Sequence, residues 1–106
     1  MSKYLIKANY NPEGAAGLAA KGGSARADIV GKMVADAGGT MECFYYAWGD
    51  VDAYVIVDLP SDEAMAGIAL SVNKSGATSI TTTPLLTPAQ IDAAASSAPG
   101  YTPPGK

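Results

Sequence analysis

The stretch that decides the fold is TMECFYYAWGDVDAYVIVDL, residues Thr40–Leu59. It contains two runs rich in β-branched and aromatic residues, Thr40–Trp48 and Val51–Leu59, and they are separated by Gly49-Asp50. Such runs are typical of strands, and a two-residue link that begins with glycine is typical of a tight turn between antiparallel strands. The sequence therefore predicts a β-hairpin in the middle of the chain.

The two sides of this hairpin differ in character. Facing residues of an antiparallel pair share one side of the sheet. With Trp48 opposite Val51, one side is expected to pack on helices and carries Phe44, Tyr46 and Trp48. The other side, here called the open face, is predicted to carry Met41, Cys43, Tyr45, Tyr54 and Ile56. A surface this apolar is rarely left in water, so a partner sheet is expected to cover it.

The residues before the hairpin predict a strand and an interrupted helix. Lys3–Tyr10 alternates in the manner of a strand and is followed by Asn11-Pro12, which ends it. The next segment has a helical pattern interrupted by glycines, Gly14, Gly17, Gly22 and Gly23. Each glycine disfavours a helix by about 1 kcal/mol relative to alanine, so a broken first half is expected. Ser24 is the expected N-cap of a firmer second half.

The residues after the hairpin predict a helix, a strand, a short helix and a tail. Ser61 is the expected N-cap of the first helix, and Thr78–Thr83 is a β-branched strand. Thr87-Pro88-Ala89-Gln90 has the form of a capping box, which predicts a third helix over Ala89–Ser97. The prolines of Ala98–Lys106 exclude regular structure and indicate an extended arm.

The order of these elements predicts the fold class. A β-α-β-β-α-β order is that of an α+β, ferredoxin-like fold, with one four-stranded antiparallel sheet and helices on one face. The 106 residues suit a single domain. We expect a core over residues 1–84, an extra helix over 85–97 and a proline-rich arm over 98–106.

Composition limits the classes of function. The net charge is −3 and no basic run is present, which disfavours nucleic acid and anionic membrane surfaces as partners. The single Cys43 has no internal disulfide partner, and the N-terminal residues lack the long apolar segment of a signal peptide, so a cytoplasmic location is expected. Histidine is absent, which removes the commonest metal ligand and proton shuttle, and neither a metal nor a cofactor is expected.

Four stretches carry a resemblance to a known family: YLIKANYNPEG, GGSAR, YYAWGDVDAYVIVDLP and TTTPLLTPAQIDAA. Together they resemble the GYD domain family, small bacterial proteins similar in fold to the dimeric α+β barrels. The family motif places a glycine, a tyrosine and an aspartate near the third strand, and here Gly49 and Asp52 are present with Val51 at the expected tyrosine position. The resemblance implies a homodimer formed by sheet-to-sheet packing, possibly a higher oligomer, and implies no particular reaction.

The ferredoxin-like topology predicts where a ligand site would lie. Tyr10, Tyr46, Trp48 and the turn at Gly49-Asp50 are expected at one edge of the sheet, beneath the glycine-interrupted helix that carries Arg26. This arrangement predicts an aromatic cleft with one cation, suited to a small anionic or enolic ligand. The alternative is ordinary packing of large aromatic side chains between a helix and a sheet.

Two classes of function remain open at this point. The first is a non-catalytic, homo-oligomeric module that binds a small ligand, which we favour slightly. The second is a cofactor-independent enzyme, similar to the monooxygenases or isomerases of the dimeric α+β barrels, with Arg26 as its electrostatic element and a tyrosine as acid. No catalytic residue can be assigned.

Three other groups have mainly structural interpretations. Cys43 is expected to pack as a small apolar side chain rather than act as a nucleophile. The GGSAR stretch is only loosely similar to a phosphate-binding loop. Asp52 and Asp58 lie on the predicted interface side, where a carboxylate needs a partner. They are expected to be either rim residues or partners of Lys3 and Lys7, and a Lys7–Asp52 ion pair is the favoured account.

Overall fold

Eight regular elements make up the protein, and the computed structural model describes residues 1–105. In chain order they are β1 (Ser2–Tyr10), α1 (Pro12–Lys21), α2 (Gly23–Asp36), β2 (Thr40–Tyr46), β3 (Ala53–Leu59), α3 (Asp62–Asn73), β4 (Thr78–Leu85) and α4 (Pro88–Ser96). The strands form one antiparallel sheet in the order β2-β3-β1-β4. The predicted α+β, ferredoxin-like architecture is therefore confirmed.

The core lies between one face of the sheet and two of the helices. Its sheet side consists of the alternate residues of β1 and β3, which are buried: Tyr4, Ile6, Val55, Val57 and Leu59. Val34 of α2 and Met65 and Ile68 of α3 pack against them. The opposite, open face carries the intervening residues, and none of those in β3 is buried. Helix α4 contributes no buried residue to this core.

The hairpin has the predicted register but a longer connection. Tyr46 pairs with Ala53 and Tyr45 with Tyr54, as a pairing of Trp48 with Val51 would require. The pairing nevertheless stops at Tyr46, so the predicted two-residue turn is wrong and a six-residue loop, residues 47–52, joins the strands. The Ala47 N–H donates to the Asp52 carbonyl at 2.9 Å across the base of this loop, and the Asp52 N–H donates to the Ala8 carbonyl of β1, also at 2.9 Å.

A register shift in β2 moves one side chain to the other side of the sheet. The pairing changes between Met41 and Cys43, so that Met41 lies opposite Val57 and packs against the core. The prediction that Met41 lies on the open face is therefore wrong, because an extra residue in one strand reverses the side-chain alternation beyond it. Cys43 lies opposite Ile56, and both remain on the open face.

The helix boundaries confirm most of the predicted caps. The prediction of a broken first half is wrong for Gly14 and Gly17, because α1 continues through both, and the chain breaks only at Gly22, which has φ 92°. Gly22 itself precedes α2 without a side-chain cap, so the prediction of Ser24 as N-cap is wrong, because α2 already begins at Gly23. Ser61 accepts from the Ala64 N–H at 3.2 Å, and Thr87 forms both halves of a capping box with Gln90.

The C-terminal residues extend beyond the sheet and its helices. Helix α4 begins one residue before its predicted start and ends one residue before its predicted end. Residues 98–105 contain no helix or strand, as expected for an arm, and Lys106 lies outside the described residues.

Candidate functional site

Three aromatic rings meet at one edge of the sheet, as predicted. Tyr10 ends β1, Tyr46 ends β2 and Trp48 lies in the loop that follows. The Trp48 ring centroid is 6.2 Å from that of Tyr10, at an interplanar angle of 42°, and 6.3 Å from that of Tyr46, to which the indole is nearly parallel at 8°. Trp48 has φ 54°, which is uncommon for a residue other than glycine, and its side chain is 57% exposed. The loop therefore presents an indole ring to solvent above two tyrosines.

Tyr46 is held by the first turn of α2. Its hydroxyl donates to the Gly23 carbonyl at 3.0 Å. A Cβ at Gly23 would lie 2.9 Å from the Tyr46 ring, so the close approach requires glycine. Burial raises the pKa of the Tyr46 phenol, the nearby Tyr10 adds to the increase, and the positive charge of Arg26 opposes it. Tyr46 is thus a neutral, positioned side chain beside Arg26.

The loop carboxylate has a structural partner. The Tyr10 backbone N–H donates to Asp52 Oδ2 at 2.8 Å, which fixes the start of β3 against the end of β1. The predicted Lys7–Asp52 ion pair is absent from residues 1–105, and the Asp52 carboxylate instead accepts from this backbone N–H. On the open face, Lys3 is paired with Glu42 at 2.7 Å and with Asp58 at 3.1 Å. Asp52 therefore positions Tyr10 from within the site.

A cavity of about 200 Å³ lies on the other side of Tyr10. Its walls come from α1, α2, the end of β1 and the start of β4. The polar side chains in its wall are Tyr10, Lys21, Arg26 and Thr78. Tyr46 and Trp48 do not line it, and they support Tyr10 from the outer side. The site therefore has two parts, a cavity with Arg26 and an aromatic stack, with Tyr10 shared between them.

Glycine residues shape the helical wall of this cavity. Gly14, Gly17 and Gly22 all border it. A Cβ at Gly17 or Gly22 would meet no atom within 4 Å, whereas a Cβ at Gly14 would overlap with the Ala77 carbonyl. Gly14 thus permits close packing of α1 on the residue before β4, and Gly17 leaves open space.

A smaller cavity of about 30 Å³ lies on the inner side of the same residues. It is lined mainly by apolar core side chains and shares Tyr10, Arg26 and Thr78 with the larger one. A space of this size holds roughly one water molecule. It is therefore a packing gap beneath the site rather than a second ligand site.

The charge of the larger cavity is positive. Lys21 and Arg26 both line it, and no aspartate or glutamate does. Neither cation takes part in an ion pair within residues 1–105. An uncompensated pair of cations beside a hydroxyl and a phenol favours an anion, because charged donors make the stronger hydrogen bonds to anionic oxygens.

Sequence reasoning missed Lys21 and Thr78. Thr78 lies opposite Tyr10 in the pairing of β1 with β4, a relation that only the register of distant strands shows. Lys21 ends α1, immediately before the Gly22 break, and the break turns this end of the helix towards α2. A lysine directly before two glycines, at Lys21-Gly22-Gly23, is the sequence pattern that indicates a cation at the end of this helix.

Other types of site have no support in the described part of the chain. Residues 1–105 contain no group of three or more cysteine and acidic side chains that could hold a metal ion. Cys43 lies on the open face, across the sheet from the cavity. Within the same residues, no helix has the length and apolar character needed to cross a membrane.

Comparison with known proteins identifies a family for nearly the whole chain. The GYD domain family matches residues 4–95, which include all of the sheet except Ser2 and Lys3, the aromatic stack and every residue that lines the larger cavity. No curated protein shows significant similarity to the chain. No solved structure does so either. The match covers most of the 106 residues and agrees with the ferredoxin-like order of strands and helices, and the chain therefore belongs to the GYD domain family.

Proposed function

We propose that this GYD-domain protein is a homo-oligomeric module that binds a small anionic or enolic molecule beside Arg26. The observation that carries the proposal is the cavity of about 200 Å³ whose wall contains Lys21 and Arg26 but no carboxylate. Both side chains carry a positive charge towards the same concave surface, and an anion bound there can interact with both. Thr78 and Tyr10 add hydroxyl groups that can donate to the same ligand.

The size of the cavity limits the ligand. Sites for drug-sized molecules and cofactors occupy about 300–1,000 Å³, and this cavity is smaller. A small carboxylate or enolate fits this volume, with its anionic oxygens towards Arg26. The guanidinium of arginine offers parallel N–H donors that match the two oxygens of a carboxylate, which makes Arg26 the principal anchor and Lys21 an auxiliary charge.

The aromatic stack gives this site a rigid wall. Tyr46 is fixed by its hydrogen bond to Gly23, and Tyr10 is fixed through the contact of its backbone N–H with Asp52. Trp48 covers both rings from outside. A planar ligand can therefore meet a pre-formed ring face at Tyr10, which lowers the entropy cost of binding.

The same contacts favour binding over catalysis. An enzyme that acts on an enolic substrate needs a group that moves a proton at the reacting atom. The Tyr46 hydroxyl already donates its proton to the Gly23 carbonyl, and its raised pKa makes the phenolate, the form that could act as a base, harder to reach. The cofactor-independent enzyme remains the second candidate, in which Tyr10 would be the proton donor.

A ligand screen tests the site. Small carboxylates and enols are screened by thermal shift, and hits are titrated while the fluorescence of Trp48, the only tryptophan, is followed. Arg26→Ala should weaken binding by about 10- to 100-fold, the range for losing a charged hydrogen-bond donor. Lys32→Ala is the matched control, because Lys32 lies on the same helix with its side chain 77% exposed.

Two results would contradict the proposed site. One is a hit that binds Arg26→Ala as tightly as the wild type. The other is an equal loss in Arg26→Ala and Lys32→Ala, which would indicate a general charge effect. Cys43→Ser should bind normally, since Cys43 lies across the sheet.

The proposed oligomer rests on the open face. Tyr45 there is 68% exposed and lies opposite Tyr54, and on the same face Ile56 lies opposite Leu5. Large aromatic side chains of this kind dominate interface energetics. We infer that two copies pack these faces together, as the family resemblance implies. Light scattering should find a dimer for the wild type, and Tyr54→Asp should give a monomer or an insoluble chain. Leu70 lies on the exposed side of α3, so Leu70→Asp should leave the dimer intact.

A further inference from the structure

Three polar side chains of the larger cavity lie together at its deep end. Arg26, Tyr10 and Thr78 line both this cavity and the smaller one beneath it, so the three meet where the two spaces adjoin. Thr78 lies directly opposite Tyr10 in the pairing of β1 with β4, and side chains in such positions share one face of the sheet. The floor of the cavity is therefore polar, and Arg26 reaches it from α2.

Thr78 brings an unpaired hydroxyl to this floor. In residues 1–105 it is the one buried residue with a polar, non-aromatic side chain, at 8% exposed. Its Oγ1 takes part in none of the side-chain hydrogen bonds of these residues. The one fully enclosed side-chain oxygen or nitrogen without a partner there is Asp58 Oδ1, so the Thr78 hydroxyl retains contact with open space. A buried hydroxyl needs a hydrogen-bond partner, and a molecule in the cavity can supply it.

The rest of the cavity is mainly apolar. Leu18 of α1 and Ile29 of α2 line it, together with Ala25, Ala77 and three glycines. Ile29 is 54% exposed although it is large and apolar, and it does not belong to the packed core. The remaining polar side chain of the wall is Lys21, which is exposed at the end of α1. A ligand that fills this part of the cavity therefore meets aliphatic side chains and glycine backbone.

We propose that the ligand of this site is a monocarboxylate with a short aliphatic body. Its carboxylate accepts from the Arg26 guanidinium and the Thr78 hydroxyl at the deep end. Its body lies along Leu18 and Ile29. This inference rests on the anion site proposed above and names the class of molecule that fills it.

The charge at the other end of the ligand decides between two classes of molecule. A second carboxylate on the body would lie against aliphatic side chains, where it loses hydration without gaining a partner. The competing class is a dicarboxylate whose second charge reaches Lys21 at the exposed end of α1. The aliphatic body is favoured because Ile29 leaves its apolar surface in water when the cavity is empty and loses this exposure when the body covers it.

A matched series of carboxylates tests this assignment. Acetate, butyrate and hexanoate are titrated at constant ionic strength into isotope-labelled full chain, and binding is followed by NMR chemical shifts. Succinate and adipate are titrated in the same way, because they carry a second carboxylate on the same number of carbons as butyrate and hexanoate. Each buried methylene corresponds to about a fourfold gain in affinity, so hexanoate should bind about tenfold more tightly than butyrate. Adipate should bind more weakly than hexanoate.

A variant of Ile29 tests the apolar end of the ligand. Ile29→Ser should remove most of the gain in affinity from butyrate to hexanoate and leave the affinity for acetate unchanged. Because Ile29 is half-exposed and lies outside the packed core, circular dichroism of the variant should match the wild type. The matched control is Leu70→Ser, at an exposed apolar position of α3 that does not line the cavity, and it should bind the whole series as the wild type does.

Two variants of Thr78 test the anionic end. Thr78→Val keeps the shape of the side chain and removes the hydroxyl, so the affinity for all three monocarboxylates should fall by about tenfold or more, the range for a hydrogen bond to a charged group. Thr78→Ser keeps the hydroxyl and should restore most of the affinity. A general packing defect would instead weaken binding in both variants.

The outcomes separate this assignment from the proposed anion site. If adipate binds as tightly as hexanoate, or if affinity does not rise with chain length, the aliphatic body is wrong and the site beside Arg26 stands. If Thr78→Val binds the series as tightly as the wild type, the carboxylate does not contact Thr78 and the assignment fails. If all the carboxylates bind to Arg26→Ala as tightly as to the wild type, both proposals fail.

Discussion

Two glycines of α1 should respond in opposite directions to the same substitution. Gly17 lies inside the helix, and a Cβ there would meet no atom within 4 Å. Gly14 lies three residues earlier. A Cβ there would lie much closer than 3.0 Å to the Ala77 carbonyl oxygen, and Cβ atoms in real proteins essentially never make contacts shorter than 3.0 Å. Gly17→Ala should therefore stabilise the protein, and Gly14→Ala should destabilise it.

The expected magnitudes follow from these contacts. Alanine is favoured over glycine in an exposed helix by about 1 kcal/mol, so Gly17→Ala should gain about 0.5–1 kcal/mol. Gly14→Ala receives a similar gain, but α1 must move away from Ala77. That movement breaks the hydrogen bonds from Asn11 to the carbonyls of Ala77 (3.1 Å) and Gly76 (2.6 Å). At about 1 kcal/mol each, with the Ala77 carbonyl left unsatisfied, the net loss is about 1–2 kcal/mol.

Thermal and urea unfolding followed by circular dichroism measure this difference. An unfolding entropy of about 2.1 cal/mol/K per residue converts 1 kcal/mol into about 4–5 °C for a chain of 106 residues. The two variants should therefore differ in Tm by about 10 °C, measured at one protein concentration because the proposed dimer makes Tm depend on it. Since Gly17 borders the larger cavity, Gly17→Ala should also weaken the binding of any ligand that occupies this cavity.

The reasoning fails if Gly14→Ala is as stable as the wild type. In that case α1 does not pack on the residues before β4 as described. It also fails if Gly17→Ala is destabilised, because that result would mean that other atoms occupy the space beside Gly17, which is open in the structure. If Gly17→Ala is stabilised and still binds the ligand as tightly as the wild type, the ligand does not contact this wall of the cavity.

Three further predictions concern the core and the alkaline range. Leu59→Ala should cost about 3–5 kcal/mol in urea unfolding because Leu59 is fully buried, whereas Leu70→Ala, at an exposed position, should stay within about 0.5 kcal/mol. Stability should fall as the pH rises above 10.0, because the unfolded chain releases the Tyr46 proton before the folded chain does, and Tyr46→Phe should show a smaller fall. Hydrogen bonding to Glu42 raises the pKa of Lys3, so the advantage of the wild type over Lys3→Met should be present below pH 10.5 and disappear as the pH rises through the higher folded-state pKa. If the wild type is still more stable than Lys3→Met above the folded-state pKa of Lys3, the charge of Lys3 is not the source of the stability difference.

Patterns within a few residues of one another were sufficient for the order of the elements. The alternation of Lys3–Tyr10, the cap at Ser61 and the capping box at Thr87 each depend on neighbours within one turn or one strand, and the structure confirms all three. The break at Gly22 belongs with them, because glycine adopts its positive φ without steric cost. For the same reason the chain alone indicated a ferredoxin-like fold.

Contacts between distant segments decided the features that the sequence did not predict. The extra residue in β2 turns Met41 into the core, and its position depends on how β2 pairs with β3. The strands of the hairpin separate after Tyr46, and Trp48 lies exposed in the loop that follows, whose last residue, Asp52, is hydrogen-bonded to Ala8 of a distant strand.

The candidate site shows the same division. Tyr10, Tyr46 and Trp48 were predicted to converge, because the topology brings the ends of β1 and β2 to one edge of the sheet. The cavity with its second cation was not predicted, since it forms only where α1 and α2 meet the start of β4, which is distant from both in the chain. Residue types and short spacings are local properties and can be read from the sequence, whereas an enclosed space exists only after distant elements have packed around it.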